Sequence, residues 1–236
     1  MSFIIHDLKP VVIRGPFAGL ILSENSSKCS STQAKIYGCY EKELEDIVER
    51  SINKKYEIVL NVGCAEGFYS IGFAKRMPKC FVYSFDIDPA HKQVFYETAA
   101  LNNVTSRVQY LDAFTADFIS KNCPTNSKLF FCDCEGEEIN IISDEFLSQN
   151  QNMDFIVETH DFIVETHDFI GKSISAVLEQ RFYRQGYKVH KLKSIEDNER
   201  AIMFHIPELM NFDFETKRDV IKEYRPCPMT WLYCTK

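Results

Sequence analysis

Glu57-Ile58-Val59-Leu60-Asn61-Val62-Gly63-Cys64-Ala65-Glu66-Gly67-Phe68-Tyr69-Ser70-Ile71-Gly72 opens as an apolar run, breaks at Gly63 and resumes after Gly67 with helical spacing. That is the pattern of a strand, a tight glycine turn and the start of a helix. Such a turn brings bare backbone to a helix N-terminus, where free N–H groups and the helix dipole favour negative charge.

Strands and helices alternate outward from this stretch. The helix Phe68–Arg76 is stopped by Pro78, and a second strand, Cys80–Phe85, ends in Asp86-Ile87-Asp88-Pro89. Proline favours the first helical turn, so a helix runs over Ala90–Leu101 to Asn102-Asn103. A third strand, Arg107–Leu111, ends in Asp112, and a short helix covers about Thr115 to Lys121. The fourth strand, Lys128–Cys134, ends in Asp133-Cys134-Glu135-Gly136 and is followed by a helix over Glu138–Leu147. Near-continuous apolar strands alternating with helices predict a parallel sheet covered on both faces, an α/β fold.

At 236 residues the chain accommodates one such domain with a short arm. Hydrophobic residues at 45% and charged residues at 26% are ordinary for a globular protein, and no apolar run approaches membrane-spanning length. A formal net charge of −7 disfavours nucleic acid as a partner and leaves a small molecule as the expected substrate. The nine cysteines include no CxxC pair, so they read as reduced thiols of a cytoplasmic protein rather than a zinc cluster or a disulfide framework. His6, Asp7, Lys9 and Pro10 stand where a signal peptide needs an apolar core.

Residues 1–35 read as a peripheral arm: two short apolar runs, Val11–Ile13 and Phe17–Leu22, then a serine-rich connection. The domain proper is 36–236. It begins with Tyr37-Gly38-Cys39-Tyr40-Glu41 and an amphipathic helix over Lys42–Ile52. Further on, Asp154-Phe155-Ile156-Val157-Glu158-Thr159-His160 recurs at once as Asp161-Phe162-Ile163-Val164-Glu165-Thr166-His167. This is too short for a repeat architecture. Only one copy can be the buried fifth strand, and the first is expected, because it keeps the link to the preceding helix short. A helix over Ser173–Phe182 and a strand over Tyr187–Leu192 follow. Residues 194–224 read as irregular until a helix from about Glu215 to Tyr224, and Met229–Cys234 forms the last strand.

The glycine turn is G-x-x-x-G, not the G-x-G-x-x-G of nicotinamide dinucleotide sites. Asn61, Asp86, Asp112 and Asp133 mark four successive strand ends on one sheet edge, the edge where open α/β sheets bind ligands. Each acid singly can be a helix cap, as Asp88 before Pro89 is expected to be. As a set they describe a nucleoside site, with Asp86 at the ribose hydroxyls and Asp112 at the adenine amino group.

On these residues the chain resembles class I S-adenosylmethionine-dependent methyltransferases. Asn61-Val62-Gly63-Cys64-Ala65-Glu66-Gly67 is similar to their first motif and Phe85-Asp86 to the acidic end of their second strand. Asp133-Cys134-Glu135-Gly136-Glu137-Glu138 resembles the D-x-E-G-x-E segment of FkbM-type enzymes, and Val157-Glu158 with His160 their acid-bearing fifth strand. The lead-in at Tyr37–Glu41 and the closing Arg225-Pro226-Cys227-Pro228-Met229-Thr230-Trp231 belong to the same resemblance. It implies a Rossmann-like, doubly wound, mostly parallel seven-stranded sheet with an antiparallel last strand. It also implies S-adenosylmethionine held by Asn61, Gly63, Cys64, Gly67, Asp86, Asp112 and Asp133. Asn61 replaces the usual first acid and Ala65 a frequent glycine, which predicts weaker binding.

Methyl transfer to a hydroxyl needs a base, and Asp133, Glu135, Glu158 and His160 come from adjacent strand ends. No Asn-Pro-Pro-Tyr type segment of amine methyltransferases follows the fourth strand, which favours an oxygen acceptor. Asp133 with Glu158 or Asp161 has the oxygen donors of a Mg²⁺ site, but such clusters more often bond backbone, so no metal is assigned. His160 and His167 read equally as loop histidines, and Cys132 and Cys134 as core thiols. The expected function is O-methylation of a small-molecule or carbohydrate hydroxyl. The alternative is a cofactor-binding protein of the same fold in which the duplication has impaired catalysis.

Overall fold

The computed structural model describes residues 10–26, 31–161, 173–225 and 227–236. Its elements are α1 (Thr32–Ile36), α2 (Glu45–Lys54), β1 (Ile58–Val62), α3 (Phe68–Arg76), β2 (Phe81–Phe85), α4 (His91–Leu101), β3 (Val108–Leu111), α5 (Asp117–Asn122) and β4 (Lys128–Cys132). The chain continues through α6 (Glu138–Ile141), α7 (Asp144–Gln149), β5 (Met153–Thr159), α8 (Ile174–Arg184), β6 (Lys188–Lys193), α9 (Asp197–Met203), α10 (Phe214–Ile221) and β7 (Thr230–Thr235).

The strands form one seven-stranded sheet in the order β3-β2-β1-β4-β5-β7-β6. β1 to β5 pair in parallel, whereas β7 runs antiparallel to both β5 and β6. The Rossmann-like sheet and its antiparallel last strand are therefore as expected. β1 and β4 are buried along their whole length, as apolar strands covered on both faces must be. Alternate side chains feed two cores: Val59, Phe131, Ile156 and Trp231 pack against α2 and α3, and Leu60, Phe130, Phe155 and Leu232 against α7 and α8. The exposed edge strand β6 carries Lys188, Lys191 and Lys193, charges that discourage pairing with another sheet. Among the described residues no helix is long and apolar enough to cross a membrane.

The first copy of the duplicated heptad is the buried strand β5, as the short link required. Of the second copy only Asp161 is described. Its carboxylate accepts from the Ser175 backbone N–H (2.7 Å) and hydroxyl (2.8 Å) at the start of α8. The rest of that copy lies outside the described residues.

Several expectations are corrected. The apolar runs of the N-terminal stretch are not peripheral: Val12, Phe17, Leu20 and Leu22 are buried. Phe17 meets Phe68, Tyr69 and Phe73 edge-on, and a Cβ on Gly72 would stand 2.6 Å from its ring, so α3 is shaped to receive it. The helix expected over Glu138–Leu147 is two helices, because the Ser143 hydroxyl accepts from Phe146 N–H (3.1 Å) and starts a new one. α9 falls in a stretch read as irregular. It is anchored by Arg200, a fully buried cation paired with acids from distant segments, which a periodicity count scores as surface. α10 stops at Ile221, where Lys222 turns to an extended backbone, so Lys222–Tyr224 are not helical.

Candidate functional site

The strand order reverses between β1 and β4, and the loops at their carboxyl ends diverge there to open a crevice. Gly63 sets the geometry. At φ +78° its N–H donates to Phe85 O (2.9 Å), and a Cβ would overlap the Asp133 carbonyl oxygen. Only glycine lets the two loops touch here. Ala65 also takes a left-handed backbone, φ +44°, which explains why a glycine is at home there. Its N–H donates to Asp86 Oδ2 (2.7 Å), tying the turn to the end of β2. Asp86 Oδ1 accepts from Asp88 N–H (2.9 Å), and Asp88 Oδ1 from Ala90 N–H (2.9 Å); Asp88 thus forms a turn ahead of α4 and is not the cap expected of it, a position held by Ala90 without a side-chain bond.

A cavity of about 530 Å³ occupies the crevice. Asn61, Gly63, Cys64, Asp86, Asp112, Asp133 and Glu135 line it, as do Ile87, Phe114 and Ile141. Gly67 does not. A Cβ there would collide with the Phe95 ring, so this glycine serves the packing of the turn on α4. Asn61 is 1% exposed; its Nδ2 donates to Ser70 Oγ (2.8 Å), while its Oδ1 is buried with no hydrogen-bond partner. An orphaned acceptor in a cavity wall is a site for a donor from a ligand. Cys134 packs against the core as expected but also lines the cavity, with its Sγ 3.5 Å from that of buried Cys132.

Glu158 and His160 lie behind Asp133. Nδ1 of buried His160 bonds Glu138 Oε1 (2.9 Å), while Nε2 faces Asp133 Oδ1 (3.6 Å) and Glu135 Oε2 (3.5 Å). Glu158 is ion-paired with Arg225, which also bonds Glu41 (3.0 Å) and Glu223 (2.9 Å). Glu223 pairs with Arg200 (2.6 Å), and Tyr69 donates to Glu41. The lead-in and closing motifs thus meet in one buried network beside the cavity. Asp133, Glu158 and His160 hold one donor atom each within 4.8 Å of one another, a set able to take a divalent cation, although Arg225 already neutralises Glu158.

Burial, with the charge of Glu41 second, pushes Asp133 up to about 7. Burial raises Glu158 well above the carboxylate range, with Asp133 adding to it, and the two titrate as a pair. Burial likewise pushes Glu43 up to about 7. Burial opposes a charged His160, but the bond to Glu138 outweighs it and the net shift is upward. All of these groups hold protons to higher pH when folded than when unfolded, so stability is fullest below the unfolded values and falls as pH rises through the folded ones. We expect Tm to be several degrees lower at pH 8.0 than at pH 5.5, and Asp133→Asn to shrink that difference. A flat or rising profile would contradict the burial assigned to these acids.

Sequence reasoning missed Lys35, Tyr40, Phe68, Tyr69 and His91 as cavity residues. It also missed that Arg225 serves Glu158. Their signal was available only as motif membership for Tyr40 and Arg225, and Lys35 carried none.

No protein-family model matches the chain, and no curated protein matches it in sequence. Among solved structures, precorrin 8w decarboxylase of Methanobacterium thermoautotrophicum aligns with TM-score 0.53 at 13% identity, over 82% of this chain and 90% of that one. Precorrin-6y C5,15-methyltransferase of Geobacter metallireducens gives 0.51 at 11%, over 81% and 87%. An O-methyltransferase of Bacillus cereus, solved in complex with SAH, gives 0.50 at 10%, over 91% and 84%. At such identities these likenesses establish the fold alone.

Proposed function

We propose that the chain is an S-adenosylmethionine-dependent methyltransferase, FkbM-like, acting on a hydroxyl of a small molecule or carbohydrate. One observation carries this reading. The glycine turn, Asp86, Asp112 and Asp133 line one cavity at the strand-order reversal, beside an orphaned Asn61 acceptor. The similar structures include an O-methyltransferase solved with SAH, which agrees with this reading. The domain proposed for the activity is 36–236, with 1–35 as an arm whose described part packs on α3.

The residues fit the cofactor. In this reading Asp86 would meet the ribose hydroxyls, Asp112 the adenine amino group, Ile87 and Phe114 the adenine faces, and Asn61 Oδ1 the ammonium of the amino-acid tail; their place in the cavity lining supports it. When bound, the sulfonium supplies the transferable methyl group, and the protein supplies alignment and proton removal. Asp133, pushed up to about 7, is the base facing the cavity. His160 Nε2 stabilises the Asp133 carboxylate from behind, and Glu138 fixes the imidazole by its Nδ1. Glu158 sits in the Arg225 ion pair behind Asp133 and serves as a positioning residue.

Calorimetric titration with S-adenosylhomocysteine tests the assignment. Wild-type binding is expected, and Asp86→Ala should weaken it at least about 100-fold, since two hydrogen bonds to a carboxylate at roughly 1.5–3 kcal/mol each are lost. No binding by the wild type at millimolar ligand would sink the reading, and unchanged affinity in the variant would refute the ribose assignment. A second reading, a protein that binds the cofactor without transfer, is favoured by the engagement of Glu158 and His160 in ion pairs. Binding without transfer of labelled methyl to cell-extract acceptors, restored when one copy of the heptad is excised, would establish it.

A further inference from the structure

Cys132 and Cys134 flank Asp133 at the carboxyl end of β4. Their sulfurs are 3.5 Å apart, the one hydrogen bond between two sulfurs among the described residues. Side chains two residues apart on a strand point the same way, and at full extension their Cα atoms are roughly 6.6 Å apart, near the upper limit that a disulfide spans. Here the two sulfurs also turn toward each other. Closing a disulfide between them needs an approach of roughly 1.5 Å.

The two thiols differ in access. Cys132 is fully buried in the core with Leu60, Phe130 and Phe155, whereas Cys134 is half-buried and lines the main cavity. A small oxidant that enters the cavity meets Cys134 first, and Cys132 stands behind it as the resolving thiol. Burial raises the Cys132 thiol well above its ordinary range. At Cys134 the bond to Cys132 favours the thiolate, but burial and the Glu138 and Asp133 charges oppose it and prevail. The pair therefore rests as two thiols at neutral pH and reacts slowly.

The surroundings decide which sulfur moves. Cys132 is fixed between Val62 of β1 and Val157 of β5 by the ladders on both its sides. Cys134 N–H donates to Glu138 Oε1 (3.1 Å), as does Gly136 N–H (3.2 Å), and the same oxygen bonds Nδ1 of His160 (2.9 Å). Drawing Cys134 toward Cys132 loosens that hold on Glu138 and turns Asp133, which the two cysteines bracket.

We propose that Cys132 and Cys134 are a dithiol that a peroxide closes to a disulfide, and that closure reshapes the cavity wall at Asp133. The Cys134 sulfur attacks the O–O bond of the peroxide, which breaks to leave a sulfenic acid and one water. The Cys132 sulfur then attacks the sulfenic sulfur; the S–O bond breaks, the S–S bond forms, and a second water leaves with the thiol proton. Two thiols are oxidised and one hydrogen peroxide is reduced to two waters. None of these steps depends on which ligand the cavity takes.

The test treats the full-length wild type, Cys132→Ser and Cys134→Ser with hydrogen peroxide, removes the excess with catalase, alkylates under denaturing conditions and digests with trypsin. The peptide that begins at Leu129 contains Cys132 and Cys134 and no other cysteine. In the wild type it should lose two hydrogens in mass and resist alkylation until reduced. In Cys132→Ser, dimedone should trap a sulfenic acid at Cys134, and in Cys134→Ser the remaining thiol should stay free. Amide hydrogen exchange at Cys134 and Gly136 should quicken about tenfold in the oxidised wild type, with no such change in Cys134→Ser. Where the reduced wild type binds S-adenosylhomocysteine, oxidation should weaken binding about tenfold and dithiothreitol should restore it. A wild-type peptide that stays fully alkylated overturns the proposal, as does a disulfide that leaves either the exchange of these amides or the S-adenosylhomocysteine affinity unchanged. If even the reduced protein binds no S-adenosylhomocysteine, the proposed function fails, while the peptide masses and the exchange rates still decide the dithiol.

Discussion

Gly63→Ala should abolish S-adenosylhomocysteine binding and lower Tm by about 10 °C. The added methyl would overlap the Asp133 carbonyl oxygen and lie 3.1 Å from Cys134 Cα. Both are backbone, so no rotamer change relieves the clash. Nor can the turn retreat. The N–H groups of Gly63 and Cys64 both donate to Phe85 O, at 2.9 and 3.0 Å, and Asp133 N–H donates to Val62 O (2.9 Å). The loops after β1 and β4 must part, and the cavity floor is lost with them. Alanine also dislikes φ +78° by roughly 1 kcal/mol or more. Gly19→Ala separates the two effects: its φ is +83°, yet nothing lies within 4 Å of the new Cβ, so only the backbone penalty should appear. Thermal unfolding and calorimetry on both variants check this. A Gly63→Ala protein that melts and binds like the Gly19 variant would show that the loop contact has slack.

Arg225→Met should destabilise the protein by about 3–5 kcal/mol, the usual result of stranding a buried charge. The guanidinium serves Glu41, Glu158 and Glu223, whose side chains are only 2%, 4% and 1% exposed. Without it the three acids are left with Arg200 on Glu223, the Tyr69 hydroxyl on Glu41 and little else. Glu158 and Glu223, already raised by burial, would respond by keeping their protons to still higher pH. Stability should therefore fall more steeply above pH 6 than in the wild type, and denaturant titrations at two pH values would show it. Adding Glu158→Gln to Arg225→Met should recover part of the loss, since one stranded charge is removed. Equal losses at both pH values would mean that Arg225 matters for packing rather than charge.

The strands, the glycine turn and the acid row were legible because each is a local pattern. An apolar run of five residues, a glycine pair and an aspartate at the next polar position announce themselves within a dozen residues. The choice of the first heptad copy as β5 followed from the short link it leaves to the preceding helix, and the buried strand agrees. α9 was not legible, since its anchor Arg200 is buried only because Glu43, Glu223 and the Cys39 carbonyl gather around it from distant segments. Gly67 reads as a cofactor residue because it closes the motif that carries the family resemblance. Only the Phe95 ring, from α4, shows that it serves packing.

The sequence by itself determined the α/β class, the order of its elements and the edge of the sheet where a ligand would lie, because side-chain periodicity and turn chemistry act between neighbours in the chain. The tertiary structure alone decided which acids face the cavity and which are held behind it. Asp133 and Glu158 look equivalent at two strand ends, but one lines the cavity and the other is paired with an arginine 67 positions away. That difference is made by burial and by charges brought together across the fold, and no local pattern records it.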